Sequence, residues 1–247
     1  MPLRLVSYNI RFGGRGREAL IAQVLRAAAP DVVILQEATH PYVVERVAHE
    51  LEMPFWSSRE RRSLAFISRV PVHHEWHVID GTRHAFLQVS VDGQAMTVIG
   101  AHLQPHLSRW SERVRVREVQ SLIGVAEEVA GGGLHALVGD FNAVAPGDQV
   151  EAWRMPLWIK LLIRLSGGRI LREAIRALID AGYVDGYRQF FPQGGFTFPA
   201  IAPHIRFDYV FTPARYAANL KACAVLREPA TIPIASDHCP LLAVFAP

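Results

Sequence analysis

The segment LHALVGDFN, residues 134–142, is the part of the sequence that best indicates the fold. It begins with a nearly continuous apolar run, which predicts a buried strand over Leu134–Val138. Asp140 and Asn142 follow, so an acidic and an amide side chain stand where the strand ends. Such strand ends are typical of α/β proteins, which build their sites at one rim of a sheet.

Other apolar runs along the chain have polar or acidic neighbours in the same way. The runs and their neighbours are Leu3–Tyr8 with Asn9, Asp31–Gln36 with Glu37, Ala95–Ala101 with His102, and Leu241–Phe245, preceded by Asp237 and His238. One such residue alone is usually a cap or a turn former. Together with Asp140, however, they favour a single site assembled at the rim of a sheet.

The remaining pattern alternates helices with strands. Apolar residues at helical spacing predict helices over Arg17–Ala28, Pro41–Leu51 and Ser108–Ala130, and two amphipathic segments between residues 150 and 182. Further strands are predicted over Leu64–Ser68, Val72–Ile79, Ala85–Val91, Phe207–Phe211 and Leu220–Val225. No linker, repeat or low-complexity stretch divides the sequence. We therefore expect one α/β domain over residues 1–247, with a helical insertion near 150–182.

The composition of the 247-residue chain excludes several classes of protein. Half of the residues (50%) are hydrophobic, which is enough for a sizeable core and excludes wholesale disorder. No apolar run approaches the ~20 residues that cross a bilayer. Two cysteines provide neither a disulfide framework nor a zinc pattern. The first residues lack the apolar core of a signal peptide, so we expect a cytoplasmic protein.

The net charge of +3 results from 26 basic and 23 acidic residues. Only Lys160 and Lys221 are lysines, and every other basic residue is an arginine. Arginine suits bidentate contacts with phosphate, which favours an anionic partner. A GC-rich genome produces the same bias, so the composition alone does not identify the partner.

The residue types at the strand ends suit hydrolysis with a hard divalent cation. Glu37 and Asp140 offer carboxylate oxygens, the donors that Mg²⁺ and Mn²⁺ prefer. Asn142 adds an amide that can orient a phosphate or a water. His102 and His238 are candidates for general acid–base catalysis or for stabilising a transition state. Zinc is disfavoured, because neither an HExxH motif nor paired CxxC motifs occur.

Six motifs in a fixed order resemble those of the endonuclease/exonuclease/phosphatase superfamily of DNase-like, metal-dependent phosphoesterases. They are SYNIRF at residues 7–12, ILQE at 34–37, GAHL at 100–103, GDFNA at 139–143, RFDYVF at 206–211 and SDHCPL at 236–241. The motifs therefore span nearly the whole chain. The resemblance implies a four-layer α/β/β/α sandwich of two packed mixed β-sheets, and a hydrolase of phosphodiester bonds.

The resemblance also implies a role for the acidic and amide residues of the motifs. Glu37 is expected to be the principal ligand of one or two Mg²⁺ or Mn²⁺ ions, helped by Asn9. Asp237 is expected near the metal or in support of a second ion. Asp140 would orient or deprotonate the attacking water, and Asn142 would hold a phosphate oxygen.

Two histidines complete the machinery that the resemblance implies. Asp208 is expected to pair with His238 and to fix its tautomer. His238 then acts either as a base or as a donor to the developing negative charge, and both roles stay open. His102 is expected to contact the scissile phosphate or to protonate the leaving group.

Three further residues are candidates for contact with the substrate. His106 and His204 lie near motif residues, and Arg117 lies on the helix after GAHL. A solvated helix face is the simpler interpretation of Arg117. Many members of the superfamily have a Gly-Asn pair before a later strand, where this sequence has Arg62 and Ser63, so the resemblance does not extend to that contact.

The segment 153–176 bears on the choice of substrate. It combines the apolar stretch Trp153–Leu165 with the basic residues Lys160, Arg164, Arg169, Arg172 and Arg176. The simplest interpretation is that both of its helices bury broad apolar faces against a sheet. A second interpretation is a basic, tryptophan-bearing element that contacts nucleic acid or an anionic membrane surface.

Three functions are compatible with these patterns. The first is a Mg²⁺- or Mn²⁺-dependent nuclease that hydrolyses phosphodiester bonds of nucleic acid. The second is a lipid or small-molecule phosphodiesterase or phosphatase, similar to a sphingomyelinase, at a membrane surface; the stretch Trp153–Leu165 supports it. The third, a non-catalytic binding protein on the same fold, is the weakest, because no motif residue that carries chemistry is missing. The sequence identifies no protein partner.

Overall fold

Two mixed β-sheets of six strands each pack against one another, and helices cover their outer faces. A computed structural model describes residues 2–78, 84–93 and 95–246 of the chain. Helices, sheet, sheet and helices follow as successive layers. The predicted four-layer α/β/β/α sandwich is therefore confirmed.

The described residues form twelve strands. In chain order they are β1 (Leu3–Asn9), β2 (Val32–Gln36), β3 (Phe55–Ser58), β4 (Ala65–Ser68), β5 (Val72–Val78), β6 (Ala85–Val91), β7 (Met96–His102), β8 (Leu134–Asp140), β9 (Tyr183–Asp185), β10 (Asp208–Pro213), β11 (Leu220–Val225) and β12 (Leu241–Phe245). The first sheet has the order β11-β12-β1-β2-β4-β3, and the second has the order β5-β6-β7-β8-β10-β9.

The directions of the central strands bring the polar residues to one rim. Strands β1 and β2 run parallel, with Asn9 opposite Gln36, and β7 and β8 run parallel, with His102 opposite Asp140. Strand β10 is antiparallel to β8, so its first residue, Asp208, also lies opposite Asp140. Both central pairs therefore end at the same edge of the sandwich.

Six α-helices connect or flank these strands in the described part of the chain. They are α1 (Glu18–Ala28), α2 (Pro41–Glu50), α3 (Arg109–Ala130), α4 (Leu157–Leu165), α5 (Glu173–Asp180) and α6 (Ile232–Ala235). Residues at the N-terminus favour the start of two of these helices. Pro41 occupies the first turn of α2, and the Ser108 hydroxyl caps α3 by accepting the backbone N–H of Ser111 (3.0 Å). None of the described helices has both the length and the apolarity of a membrane span.

Three apolar layers hold the sandwich together. The outer layers lie under α1 and α2 on the first sheet and under α3 and α5 on the second. In the central layer the sheets approach closely at Gly100, where an added Cβ would lie 2.6 Å from Cγ2 of Ile34. The two cysteines are free and buried, with Cys223 in the central layer and Cys239 in the layer under α1 and α2.

Most predicted elements are present, with their ends shifted by a residue or two. The short edge strands β3 and β9 are absent from the prediction, because neither has a buried face long enough to produce an alternating pattern. Ile79, the end of the strand predicted over Val72–Ile79, lies outside the described residues.

The prediction that both helices of the segment 153–176 bury a broad apolar face is right for α5 and wrong for α4. Helix α5 buries Ala174, Ile175 and Leu178 against the second sheet. Helix α4 begins only at Leu157, and none of its residues is buried. Helix α4 is therefore amphipathic, but no sheet in the described part of the chain covers its apolar face.

The position of α4 explains the difference. Its inner side chains Ile159 and Ile163 pack against a small apolar cluster formed by Val144, Met155 and Ile205. This cluster is separate from the three layers of the sandwich. It is too small to cover more than one side of the helix, so the opposite side of α4 stays in solvent.

A buried ion-pair network fixes the loops behind the second sheet. The guanidinium of Arg206 donates to both carboxylate oxygens of Asp148 (2.8 and 3.1 Å) and of Asp185 (2.9 and 2.5 Å). It also lies 4.3 Å from the centre of the Tyr209 ring. Arg188 approaches Asp148 from the same loops at 2.8 Å. Because these charges are buried, loss of one member leaves the others desolvated without a partner.

We expect Arg206→Met to lower the free energy of unfolding by about 3–5 kcal/mol, because it removes the cation that two buried carboxylates share. The matched control is Arg154→Met, which breaks a partly exposed pair with Glu151 (2.8 Å) and should cost less than about 1 kcal/mol. Urea unfolding followed by circular dichroism measures both. Equal losses in the two variants would contradict the role assigned to the network.

Candidate active site

Asp140 lies at the centre of the predicted site, at the end of β8, and is 1% exposed. The preceding residue, Gly139, has φ of 145°, and an added Cβ there would lie 1.9 Å from the carbonyl oxygen of Ala101. Only glycine fits this close approach of β7 and β8. The glycine of GDFN therefore sets the position of the carboxylate that follows it.

Asn9 connects Asp140 to the first sheet. Its side-chain amide donates to Oδ2 of Asp140 (3.0 Å) and to Oε1 of Glu37 (3.2 Å). The backbone N–H of Arg11 donates to Oδ1 of Asn9 (2.9 Å), which orients the amide. The backbone N–H of Phe12 donates to the second Glu37 oxygen (2.6 Å). Residues of both sheets thus form one polar cluster.

Glu37 and Asn142 adopt backbone conformations that are unusual for residues with a side chain. Their φ angles are 57° and 49°, in the left-handed region, where a non-glycine residue costs of order 1–3 kcal/mol. Asn142 is held by its backbone N–H, which donates to Oδ1 of Asp140 (2.9 Å), and by its amide, which donates to the carbonyl of Leu103 (3.1 Å). Strain of this kind persists where surrounding contacts enforce it, as at many functional sites.

His238 and Asp208 form a buried pair beside Asp140. Nδ1 of His238 lies 2.8 Å from Oδ2 of Asp208, and Nε2 of the same ring lies 3.8 Å from Oδ2 of Asp140. The Ser236 hydroxyl accepts the backbone N–H of His238 (3.2 Å) and donates to the carbonyl of Asn9 (2.6 Å). The serine of the SDH motif therefore holds the histidine against β1.

His102 approaches the same oxygen of Asp140, with Nε2 at 3.8 Å. Its Nδ1 is in hydrogen-bond contact with the hydroxyl of Ser63, which also accepts the backbone N–H of Glu37 (3.2 Å). The Ser63 hydroxyl can accept this N–H and still either donate to Nδ1 or accept a proton from it, so the contact suits both tautomers of neutral His102. The ring of His84 stacks on His102 with centroids 6.2 Å apart.

Burial and neighbouring charges shift the pKa values of His238, Asp140 and His102 in different directions. Burial lowers the pKa of His238, but the carboxylates of Asp208 and Asp140 outweigh it and raise that pKa to about 10. Burial raises the pKa of Asp140 to about 7, although His238 opposes this. Burial lowers the pKa of His102 to about 4. Near neutral pH the site thus combines a charged imidazole, a neutral imidazole and a carboxyl group that can exchange protons.

The donor atoms of this cluster fit a hard divalent cation. Oxygens of Asp140 and Asp208 and a ring nitrogen of His238 lie within 4.8 Å of one another, and the two carboxyl groups are the members of this group that can bind a cation while His238 is charged. Oδ1 of Asp208 is buried and has no hydrogen-bond partner among the described residues. Glu37, linked to Asp140 through Asn9, adds another carboxylate. Carboxylate oxygens are the ligands that Mg²⁺ and Mn²⁺ prefer, so the residues fit the predicted cofactor.

The other predicted site residues lie in the surrounding segments. Asp237 pairs with Arg11 at 3.4 Å, and both side chains are partly exposed. His106 is exposed in the loop between β7 and α3. His204 is buried and its Nδ1 contacts a backbone carbonyl of its own loop (2.9 Å), while Arg117 is exposed on α3. The metal contact of Asp237 and the substrate contacts of the other three stay predictions.

Besides Ser236 of the SDH motif, three more side chains at the site are absent from the predicted set. Ser63 contacts His102, His84 stacks on it, and the Phe198 ring lies 4.9 Å from the ring of His238. Ser63 has a signal in the sequence, since it lies in the stretch where many members of the superfamily have a Gly-Asn pair. His84 and Phe198 have none, because only the packing of distant segments brings them to the rim.

Residues 6–238 match the model of the Endonuclease/Exonuclease/phosphatase family, a range that includes every residue of the cluster around Asp140. The chain belongs to this family. The Endonuclease/Exonuclease/phosphatase family consists of hydrolases of phosphate esters that generally depend on divalent metals, and the carboxylate-rich cluster agrees with that chemistry. None of the curated proteins matches the chain.

Solved structures share the fold of this Endonuclease/Exonuclease/phosphatase family member at low sequence identity. An AP endonuclease from Archaeoglobus fulgidus has a TM-score of 0.78 and 19% identity, over 99% of this chain and 100% of that one. The 3' phosphatase NExo from Neisseria, bound to a product DNA hairpin, has a TM-score of 0.76 and 19% identity over 99% of both chains. TDP2 from D. rerio, complexed with a single-strand DNA product, has a TM-score of 0.70 and 19% identity over 100% and 99%. Likeness at this identity establishes the fold.

In this Endonuclease/Exonuclease/phosphatase family member, Asp208→Asn should lower the pKa of His238, because it removes the carboxylate that most favours the charged ring. NMR titration of the histidine ring protons in the metal-free protein measures the shift, with exposed Asp180→Asn as the control. The pKa of His238 rises on folding from 6.5 to about 10, so its protonation stabilises the fold fully below pH 6.5, and this stability is lost as the pH rises through about 10. An unchanged His238 pKa in Asp208→Asn would rule out this electrostatic coupling.

Proposed function

We propose that the protein is a divalent-cation-dependent phosphodiesterase that hydrolyses nucleic acid. The observation that carries this proposal is the convergence on Oδ2 of Asp140: the Asn9 amide lies at 3.0 Å, and Nε2 of both His102 and His238 lies at 3.8 Å. A carboxylate flanked by two imidazoles provides a proton acceptor next to donors for the phosphoryl oxygens. Displacement at phosphorus requires those two functions side by side.

Asp140 is the proposed proton acceptor for the attacking water. Its pKa of about 7, raised by burial, matches a general base that works near neutral pH. Asn9 and the backbone N–H of Asn142 hold its two oxygens in place through hydrogen bonds. A carboxylate fixed in this way can accept a proton without reorienting.

His238 is the proposed stabiliser of the negative charge that develops on the phosphoryl group. Its pKa of about 10 keeps the ring protonated near neutral pH, which favours the role of donor over that of base. Nδ1 is engaged by Asp208, so Nε2 is the nitrogen available to the substrate. Neutral His102 is proposed to donate from Nε2 to the scissile phosphate while the Ser63 hydroxyl donates to Nδ1, because the His102 pKa of about 4 disfavours a protonated acid. Asn142 is proposed to hold a second phosphate oxygen.

The proposed Mg²⁺ or Mn²⁺ would be held by Glu37 with Asn9, with Asp140, Asp208 and Asp237 as the nearby carboxylates. When bound, the cation supplies a Lewis acid for the phosphoryl oxygens. The chain itself contributes the orientation of these donors, since hydrogen bonds fix both oxygens of Glu37 and the amide of Asn9.

Nucleic acid is the proposed substrate because an arginine-rich cleft lies beside α3, the helix that follows the strand of His102 in the chain. A cleft of about 640 Å³ beside the first turns of α3 is lined by four arginines (Arg109, Arg113, Arg117 and Arg169) and two glutamates (Glu112 and Glu173), and we call it the arginine cleft. The first three are spaced by four residues and therefore share one face of α3. Guanidinium groups in a row suit successive phosphates of a polynucleotide. That NExo and TDP2 were solved with DNA products supports the same substrate class.

Two neighbouring histidines are proposed to assist in binding this substrate. Exposed His106 lies in the loop that joins His102 to α3, the helix that carries three of the arginines of the cleft. The loop of His204 includes Phe198, whose carbonyl accepts the backbone N–H of His204 (3.0 Å) and whose ring contacts His238. Both residues therefore flank the proposed reaction centre.

A lipid phosphodiester is the second candidate substrate. The observation that favours it is the exposed apolar side of α4, where Leu157 is 82% exposed and Leu165 is 76% exposed. Phosphodiesters of lipid and of nucleic acid present the same reacting group, so the site around Asp140 suits both. Activity against sphingomyelin vesicles in place of nucleic acid would select this candidate.

We expect Asp140→Asn to lower the turnover of plasmid and of single-stranded oligonucleotide in Mg²⁺ or Mn²⁺ by about 10²–10⁴-fold, the usual contribution of a general base. Chelation of the metal with EDTA should abolish wild-type turnover. The control is Asp92→Asn, in the exposed hairpin between β6 and β7. Wild-type rates in Asp140→Asn, or full activity in EDTA, would disprove the proposed mechanism.

Arg117→Gln should lower kcat/KM for plasmid several-fold at low salt and reduce the steepness of the salt dependence by about one phosphate contact. Hydrolysis of bis-p-nitrophenyl phosphate, which is too small to reach the arginine cleft, should not change. Arg46→Gln on the exposed side of α2 is the control. An equal loss on both substrates would show that Arg117 acts through the fold and does not contact the polynucleotide.

A further inference from the structure

Helix α4 leaves a stripe of large apolar side chains in solvent. Leu157, Leu161 and Leu165 are spaced by four residues and are 82%, 56% and 76% exposed. Trp153 (76%) and Trp158 (60%) extend the same surface. We call these five residues the α4 patch. A soluble protein rarely exposes so many large apolar side chains in one short segment without a partner for them.

The stretch of sequence that carries the α4 patch has charge of a single sign. No acidic residue occurs from Ala152 to Arg172, whereas the same stretch contains Lys160, Arg164 and Arg169. Neither Arg164 nor Arg169 forms an ion pair with another described residue, and both are exposed. Their positive charge is therefore available to an anionic partner.

The α4 patch continues into the arginine cleft. Ser166, which directly follows α4, accepts the backbone N–H of Arg109 at the start of α3 (3.4 Å). Trp110, the next residue, is 65% exposed. The proposed docking surface therefore consists of the apolar stripe, the tryptophans beside it, and Arg164 and Arg169, which form no ion pair with another described residue.

We infer that this surface docks the protein on an anionic lipid membrane. Leucine side chains find apolar partners in acyl chains, whereas phosphates and sugars of a polynucleotide offer them none. Tryptophan prefers the boundary between acyl chains and headgroups, and arginine binds the lipid phosphates. Nine residues of helix are about 14 Å long, so α4 lies in the plane of the interface with its leucines below it.

Docking through α4 places the candidate active site close to the membrane. The inner face of α4 packs on the cluster of Val144, which stands two residues after Asn142. Phe198 packs against the same cluster and contacts the ring of His238. This cluster therefore connects α4 to the rim of the sandwich, so docking through α4 would bring the rim near the lipid surface, whichever phosphodiester it hydrolyses.

The test uses the full chain and unilamellar vesicles of phosphatidylcholine, alone or mixed with phosphatidylglycerol, in sedimentation assays. Wild type should bind the mixed vesicles, and the triple variant Leu157→Ser, Leu161→Ser, Leu165→Ser should bind about tenfold or more weaker. Arg164→Gln with Arg169→Gln should weaken binding about fivefold for each arginine. Ile234→Ser, which changes an exposed apolar residue of α6, is the matched control and should bind like wild type.

Tryptophan fluorescence checks that α4 itself enters the lipid. Brominated lipids should quench wild type, and Trp158→Phe should lose part of that quenching. Because no residue of α4 is buried, the triple serine variant should keep the unfolding temperature of wild type, so a loss of binding is not a loss of fold.

Three results would overturn the inference. The first is the absence of wild-type binding to mixed vesicles, or equal binding by the triple serine variant. The second is a wild-type dimer in solution that this variant converts to a monomer, which assigns the α4 patch to a second copy of the chain. The third is a loss of DNA binding in this variant with vesicle binding unchanged. Vesicle binding is measured without turnover, so its failure is separate from failure of the proposed phosphodiesterase activity.

Discussion

The hydrogen bond from Asn9 to Asp140 is the contact on which the rest of the rim depends. Asn9 ends a strand of the first sheet and Asp140 ends a strand of the second, so this bond fixes how the two sheets meet. The Asn9 amide donates a hydrogen bond to the carboxylate and leaves its negative charge in place. A lysine at this position would neutralise that charge. Asp140 therefore keeps the negative potential that, with Asp208, holds His238 in its charged form. A slip of one residue in either strand would turn these side chains away from each other.

Two buried charged clusters lie within a few residues of one another in the chain and differ in how completely their carboxylate oxygens are hydrogen-bonded. Around Arg206 every carboxylate oxygen of Asp148 and Asp185 has a guanidinium partner, which is the pattern of a cluster that fixes loops. Two residues further along the chain, Asp208 uses one oxygen for His238 and leaves the other without a partner among the described residues. A cluster whose carboxylate oxygens all have partners stabilises the fold, whereas a carboxylate oxygen without a partner can still bind a ligand.

Much of the fold and of the central cluster could be predicted from the sequence, because both depend on local patterns. Apolar runs give the strands, and parallel neighbours bring residues such as His102 and Asp140 to one rim. The positive φ angles of Glu37 and Asn142 could not be predicted, since neither residue type requires them. Ser63 and His84 come to the site through contacts between distant segments. The one-sided packing of α4 was missed because hydrophobic periodicity records an amphipathic helix and not the size of the surface that covers it.

The reaction rates of the two buried thiols would measure how often different parts of this protein open. Cys239 stands next to His238, where its thiol accepts a contact from Arg227 (3.1 Å) and burial raises its pKa. Cys223 lies between the sheets, where burial also raises its pKa. Neither thiol reacts with an alkylating reagent until the surrounding structure opens. The rate at Cys239 therefore records opening of the rim around Asp140, and the rate at Cys223 records separation of the sheets, so one labelling experiment ranks the stability of both.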